Sequence, residues 1–183
     1  MENIVMERKY TVDEYYNALE WIRERSELIN GEIDYMPTPG IRHQQLQLKL
    51  AGRIDAYLAS HRNGMFLLAG ADVKLSDTNV VVPDIFVASD KSKLDDTKYN
   101  GVPEFIIEVA SDTPSDDYFK KLVLYKESGV REYWIVDPKS EKTTVYFFEN
   151  ERFAESYTFD EEITAAVFGN ESPLAITVRS LLF

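Results

Sequence analysis

Residues 104–138 read EFIIEVASDTPSDDYFKKLVLYKESGVREYWIVDP, and the fold turns on how this stretch is parsed. Residues 104–110 form an apolar run of strand length interrupted by one acid, Glu108, which predicts a buried strand. A helix over 116–128, stopped by Gly129, comes next. A further strand over 131–136 ends at Asp137-Pro138.

Outward from this segment the same alternation continues. Upstream, 65–75 and 80–88 read as strands joined by the turn Ser76-Asp77-Thr78-Asn79. A helix over 42–61 carries Leu46, Leu50, Ile54 and Leu58 on one stripe and is closed by Asn63-Gly64. Asn30-Gly31 predicts a tight hairpin between 27–29 and 32–36, ended by Pro37 and Pro39-Gly40. Thr11 with Glu14 forms a capping-box signal for a helix over 12–25, where Tyr15, Tyr16, Leu19 and Ile22 recur at helical spacing. Residues 90–101 are polar and charged and predict a mobile loop. Downstream, 142–148 and 152–159 read as a hairpin around Glu149-Asn150-Glu151, and Leu174, Ile176 and Val178 alternate in the tail. Without repeat or linker, 1–183 is expected to be a single domain, an α/β fold with a mixed central sheet and added antiparallel hairpins.

The composition narrows the chemistry. With no cysteine, disulfides, zinc–thiolate sites and thiol catalysis are excluded. The first ten residues are charged and no long apolar run occurs, so neither a signal peptide nor a membrane span is expected, and the cytoplasm is the expected compartment. A net charge of −12 speaks against a tight, sequence-independent nucleic-acid binder. It speaks less against an enzyme that relies on metal ions, because a local basic cleft can coexist with a global acidic sum.

Two acids stand out. Strand alternation puts Asp84 on one face with Val82 and Phe86, and Glu108 with Ile106 and Ala110. An ionised carboxylate among apolar neighbours needs compensation. A divalent cation between two such acids would supply it, and the lack of cysteine with only two histidines favours an oxygen-ligated ion such as Mg²⁺ or Mn²⁺. The alternative is that each acid meets an arginine or a backbone amide. Pro83 lacks a ladder donor, so the strand is expected to be irregular or at an edge where Asp84 is presented. On the following helix, Tyr118, Phe119, Leu122 and Tyr125 share an apolar face with Lys121 at its rim, while Lys120 points to water. Lys121 can therefore reach a site on the sheet, or else form an ordinary surface pair with Asp117.

Val82-Pro83-Asp84, Glu108-Val109-Ala110-Ser111 and the run from Asp117 through Lys121 to Tyr125 together resemble the Uma family of putative restriction endonucleases. So do the run Gly129-Val130-Arg131-Glu132-Tyr133-Trp134-Ile135-Val136-Asp137-Pro138, the opening Glu27-Leu28-Ile29-Asn30-Gly31-Glu32 followed by His43, and the ending Leu181-Leu182-Phe183. The resemblance implies the restriction endonuclease-like fold of the PD-(D/E)XK nuclease superfamily and a metal-dependent endonuclease acting on DNA. Asp84 and Glu108 would hold Mg²⁺, with the Val109 carbonyl as a third ligand. The superfamily's lysine, two residues after the second acid, is here Ala110; the family pattern implies its relocation to Lys121. Glu27, Glu32, His43 and Asp117 are supporting candidates. Glu27 and Glu32 could instead be exposed hairpin residues, and His43 could simply cap its helix. Tyr133-Trp134 reads as core rather than as a base-stacking platform. Rival readings are a non-catalytic nuclease-fold module and a hydrolase of RNA or other phosphoesters. A homodimer would suit double-strand cleavage.

Overall fold

The computed structural model describes residues 8–61, 64–111, 117–149, 154–171 and 173–182, with the backbone alone at 117 and 118. Among the described residues three α-helices, α1 (Val12–Ala18), α2 (Ile41–His61) and α3 (Asp117–Ser128), accompany three sheets. The first sheet has the order β2-β1-β5-β4-β7 and is built from β1 (Ser26–Ile29), β2 (Glu32–Tyr35), β4 (Asp72–Ser76), β5 (Asn79–Val81) and β7 (Lys98–Tyr99). The six-stranded sheet has the order β11-β10-β9-β8-β6-β3. It comprises β3 (Phe66–Leu68), β6 (Ile85–Ala88), β8 (Phe105–Val109), β9 (Glu132–Asp137), β10 (Lys142–Phe147) and β11 (Glu155–Thr158). A hairpin of β12 (Glu162–Ala165) and β13 (Leu174–Thr177) completes the set.

β8 and β9 run parallel, with α3 between them in sequence, while β6 pairs antiparallel with β8. The sheet is therefore mixed, as expected. On one face, Leu46, Leu50 and Ile54 of α2 pack with Ile85, Ile107, Trp134 and the β12–β13 hairpin. Each of those three aliphatic side chains is fully buried, worth about 1.5–3 kcal/mol apiece. On the other face, Phe86, Ile106 and Tyr133 pack with Leu124 and Tyr125 of α3 and with Ile29, Val73 and Val81 of the five-stranded sheet. Because both faces are covered, Tyr133 and Trp134 are both core residues, whereas alternation on a one-sided sheet would bury only one.

Several boundaries differ from the sequence reading, each for a local reason. The capping box of Thr11 and Glu14 is present, but α1 ends at Ala18 rather than near 25. Arg25 already accepts a hydrogen bond from the Met36 backbone as part of the hairpin, so its chain cannot remain helical. The Asn30-Gly31 turn forms as expected, with both residues at positive φ, 52° and 79°. The expected strand over 65–75 is split between two sheets around Gly70, and that over 80–88 is split at Pro83. Residues 90–101 are not a featureless loop: Asp90 caps a short 3-10 turn, Asp95 accepts from the Thr97 and Lys98 amides, and Tyr99 is buried. On α3 the buried stripe is Lys121, Leu124 and Tyr125, while Phe119 is 71% exposed, so the apolar face is rotated from the expected one. Of the hairpin turn after β10, Asn150 and Glu151 lie outside the described residues, as do Asn63 and Phe183. None of the described helices is long and apolar enough to cross a membrane.

Candidate active site

Val82-Pro83-Asp84 is the link by which the chain leaves one sheet for the other. Val81 still pairs with Val73 in the five-stranded sheet, and Ile85 already pairs with Ile107 in the six-stranded one. Buried backbone donors need partners, and along this link carboxylates supply them. The Val82 amide donates to Glu27 Oε1 at 2.6 Å and the Asp84 amide to Glu108 Oε2 at 3.1 Å. Pro83 has no N–H to satisfy, which lets the link be this short. Asp84 in turn accepts from the Val109 amide through Oδ2 at 2.8 Å. The acids thus lie at the seam of the two sheets, tied together by the backbone that crosses it.

Two helices supply the cations. Lys121, at the head of the buried stripe of α3, is 3% exposed. Its amine lies 2.8 and 3.0 Å from the two Glu27 oxygens and 3.1 Å from Glu108 Oε1. One turn along, the Tyr125 hydroxyl donates to the same Glu108 oxygen at 2.9 Å. From α2, His43 Nε2 lies 3.0 Å from Asp84 Oδ2, and Gln47, one turn later, donates to the Asp84 carbonyl at 2.7 Å. Among the described residues the buried His43 Nδ1 has no hydrogen-bond partner.

The charges respond to this crowding. Burial pushes the Glu108 carboxyl up to about 7; the Lys121 charge opposes this, and the Asp84 and Glu27 carboxylates add to it. Burial disfavours the His43 cation, but the bond to Asp84 and the charges of Asp84 and Glu108 outweigh it and raise its pKa above the ordinary value. Burial, with the Glu108 charge, holds the Tyr125 hydroxyl well above the usual phenol range. Three carboxylates facing Lys121 and His43 leave negative charge in excess, so the pocket favours a further cation or a bound proton.

Of the residues singled out from sequence, Asp84, Glu108, Lys121, Glu27 and His43 are brought together. Lys121 is not on the surface; Lys120 is, paired with Asp34 at 3.1 Å. Glu32 is not in the pocket: it shares the face of Glu27 but stands opposite Ile29 at the turn end of the edge strand β2, where it pairs with Lys9. The Asp117 side chain lies outside the described residues. Tyr125 and Gln47 were not read as site residues, although each stands one helical turn beyond a residue that was. That spacing was the available signal.

Among the described residues no group of three acidic or histidine side chains is arranged to hold a metal ion. Asp84 and Glu108 nevertheless form one hydrogen-bonded unit of hard oxygen donors, and Asp84 Oδ1 is engaged by none of the bonds that hold Oδ2. That donor set fits Mg²⁺ or Mn²⁺, since Mg²⁺ usually keeps several waters and takes one or two carboxylates.

A family model described as "Uma2: Putative restriction endonuclease" matches residues 12–176, a span containing every residue of the pocket. The crystal structure of a putative nuclease belonging to DUF820 from Anabaena variabilis ATCC 29413 is similar, with a TM-score of 0.74. The two are 21% identical over 93% of this chain and 96% of that one, so the likeness shows a shared fold. A cryoEM structure of a DrdV–DNA complex matches 61% of this chain and 12% of that one at 16% identity, and its TM-score of 0.32 is too low to argue from. No curated protein matches.

Proposed function

The chain belongs to the Uma2 family of putative restriction endonucleases, and from that premise we propose that it hydrolyses DNA phosphodiester bonds at the pocket of Asp84, Glu108 and Lys121. One observation carries the reading: a helix-borne lysine is buried with its amine shared between Glu108 and Glu27. Burying three charged groups is costly, and a packed apolar cluster would serve stability as well or better. A hydrolytic site gives the arrangement a purpose.

Asp84 and Glu108, with the Val109 carbonyl, would hold Mg²⁺ or Mn²⁺, which when bound supplies Lewis-acid polarisation of the phosphoryl oxygen and an acidified water. The chain's own groups do the rest. Lys121 presents a positive charge where negative charge develops on the phosphate. Glu27 grips that amine with both oxygens and fixes where it points. His43 holds Asp84 by its carboxylate, and Gln47 holds it by its carbonyl. Tyr125 orients Glu108. Cutting both strands of a duplex requires two such pockets, so a homodimer is the expected working assembly.

A non-catalytic module, or a hydrolase of RNA or another phosphoester, is the second reading. The net charge of −12 and Ala110 in the superfamily's lysine position favour the non-catalytic module. Plasmid nicking with Mg²⁺ or Mn²⁺ separates these readings, comparing wild type with Asp84→Ala and Lys121→Ala. Nicking by wild type alone is expected. Equal signal from all three means contamination, and an inert wild type that degrades RNA moves the substrate.

A further inference from the structure

Gln47 does more than hold Asp84. It also lines a groove of about 500 Å³ together with Ile41, Gln44, Gln45, Leu48 and Ala69. Ile41, Gln44, Gln45 and Leu48 recur at the spacing of one helix face. That face of α2 is turned outward, with Ile41 78% and Leu48 72% exposed.

Among the described residues no charged side chain lines the groove, although charged residues make up 28% of the chain. A phosphate would find no cation there. A neutral, flat group with hydrogen-bonding edges fits better: apolar walls for its faces and methyl groups, amides for its rim. Gln44 donates to the Pro39 carbonyl at 2.9 Å and Gln47 to the Asp84 carbonyl at 2.7 Å, so both amides are oriented by the backbone. The Gln45 amide takes part in no hydrogen bond among the described residues and is available to a ligand.

We propose that this groove seats nucleobases of the strand whose phosphate lies at Asp84, with Ile41 and Leu48 packing on the bases and Gln45 reading a base edge. The inference rests on the DNA-hydrolysis reading and adds to it a base-recognition subsite. Continuity carries it: Gln47 is at once a wall of the groove and a ligand of the Asp84 backbone, so a base in the groove is one side chain from the acids. A glutamine amide pairs in bidentate fashion with the N6 and N7 edge of adenine, so adenine beside the cut is the expected preference.

The test uses the full chain with fluorescein-labelled duplexes in Ca²⁺, read by anisotropy, and the sequences at cut ends in Mg²⁺. Leu48→Asp should weaken duplex binding by about 10-fold or more, since a carboxylate in the groove repels the strand. Gln45→Ala should weaken binding of adenine-containing duplexes by several-fold and erase the adenine bias at cut ends, given the discrimination expected of one bidentate pair. Duplexes with an abasic residue in place of that adenine should bind wild type and Gln45→Ala alike. Wild-type affinity and cut-end distribution in both variants would overturn the groove while leaving hydrolysis intact. Groove-dependent binding by a wild type that never cuts would overturn hydrolysis and leave the groove. Absence of any DNA binding by wild type would remove both.

Discussion

Glu108 and Glu132 occupy adjacent parallel strands and point to opposite faces of the same sheet. Both are buried, 5% and 1% exposed, and burial is the leading cause that pushes each carboxyl up to about 7. Their partners differ in kind. Glu108 faces a lysine, a phenol and two further carboxylates at the seam between sheets. Glu132 accepts from the Trp134 indole at 2.7 Å and the Val167 amide at 2.8 Å, with the Ala166 amide beside them. Its hydrogen bonds come from neutral dipoles, with the Arg131 charge a lesser influence, and they pin the segment after β12 to the central sheet. A perturbed carboxyl alone therefore does not mark a site. What separates the two is the density of ionised groups around the first, against the lesser influence of Arg131 on the second.

The sharpest way to break this contrast is to neutralise each acid in turn. Glu108→Gln should lower plasmid nicking by about 10²–10³-fold, the usual loss on removing a charge-stabilising group from a reacting centre. Glu132→Gln should leave nicking within about two-fold once the fold is shown intact by circular dichroism, since its carboxylate faces the α2 side of the sheet and not the pocket. Comparable losses from both would mean that the pocket is no more functional than a structural acid.

Much of this contrast was legible in the sequence, but unevenly. Glu108 stood out because strand alternation predicts which way side chains face, and the long stripe of α2 follows from helical spacing in the same way. Helix spacing left Lys121 open between the site and a surface pair until the family resemblance favoured the site, and Asp84 lies in the link between strands rather than on a strand face. By the rule that an acid amid apolar neighbours needs explaining, Glu132 beside Tyr133 and Trp134 qualified equally. It went unremarked because its partners, the amides of Ala166 and Val167, are 34 and 35 residues away with no side-chain signature. The splitting of 80–88 between sheets was only half readable: Pro83 announced an irregularity, but not that the chain changes sheet there. Glu32 shows the opposite failure. The hairpin forms as expected and its two glutamates share a face, yet which of them reaches the pocket depends on β1, not β2, pairing with β5, a long-range fact.

Titration offers the next distinction. Folded Glu132 has its carboxyl raised from 4.5 to about 7, so between those values the folded chain holds a proton that the unfolded chain has released. Its stabilising share is complete below pH 4.5 and is lost as pH rises through about 7; Glu108 acts in the same direction. Urea unfolding at pH 5 and pH 8 should show wild type less stable at the higher pH, with a smaller difference in Glu132→Gln. Adding Mn²⁺ should diminish the part due to Glu108, whose ionised form the cation favours, and leave the part due to Glu132. A slope unaltered by Mn²⁺ would count against the cation site.

The smallest expected effect concerns the one neutral side-chain donor to Glu108 among the described residues. The Tyr125 hydroxyl reaches Glu108 Oε1 alongside Lys121, so Tyr125→Phe deletes a bond while leaving that oxygen partnered. The loss in stability should be about 1 kcal/mol, the ordinary net worth of such a bond. Activity should report something more specific. A hydrogen bond to the ionised carboxylate favours ionisation, so its removal should move the acid limb of the nicking profile to higher pH. A purely packing role for Tyr125 would lower stability without moving that limb, because the ring, its edge-to-face contact with Tyr133 and its burial all survive in phenylalanine.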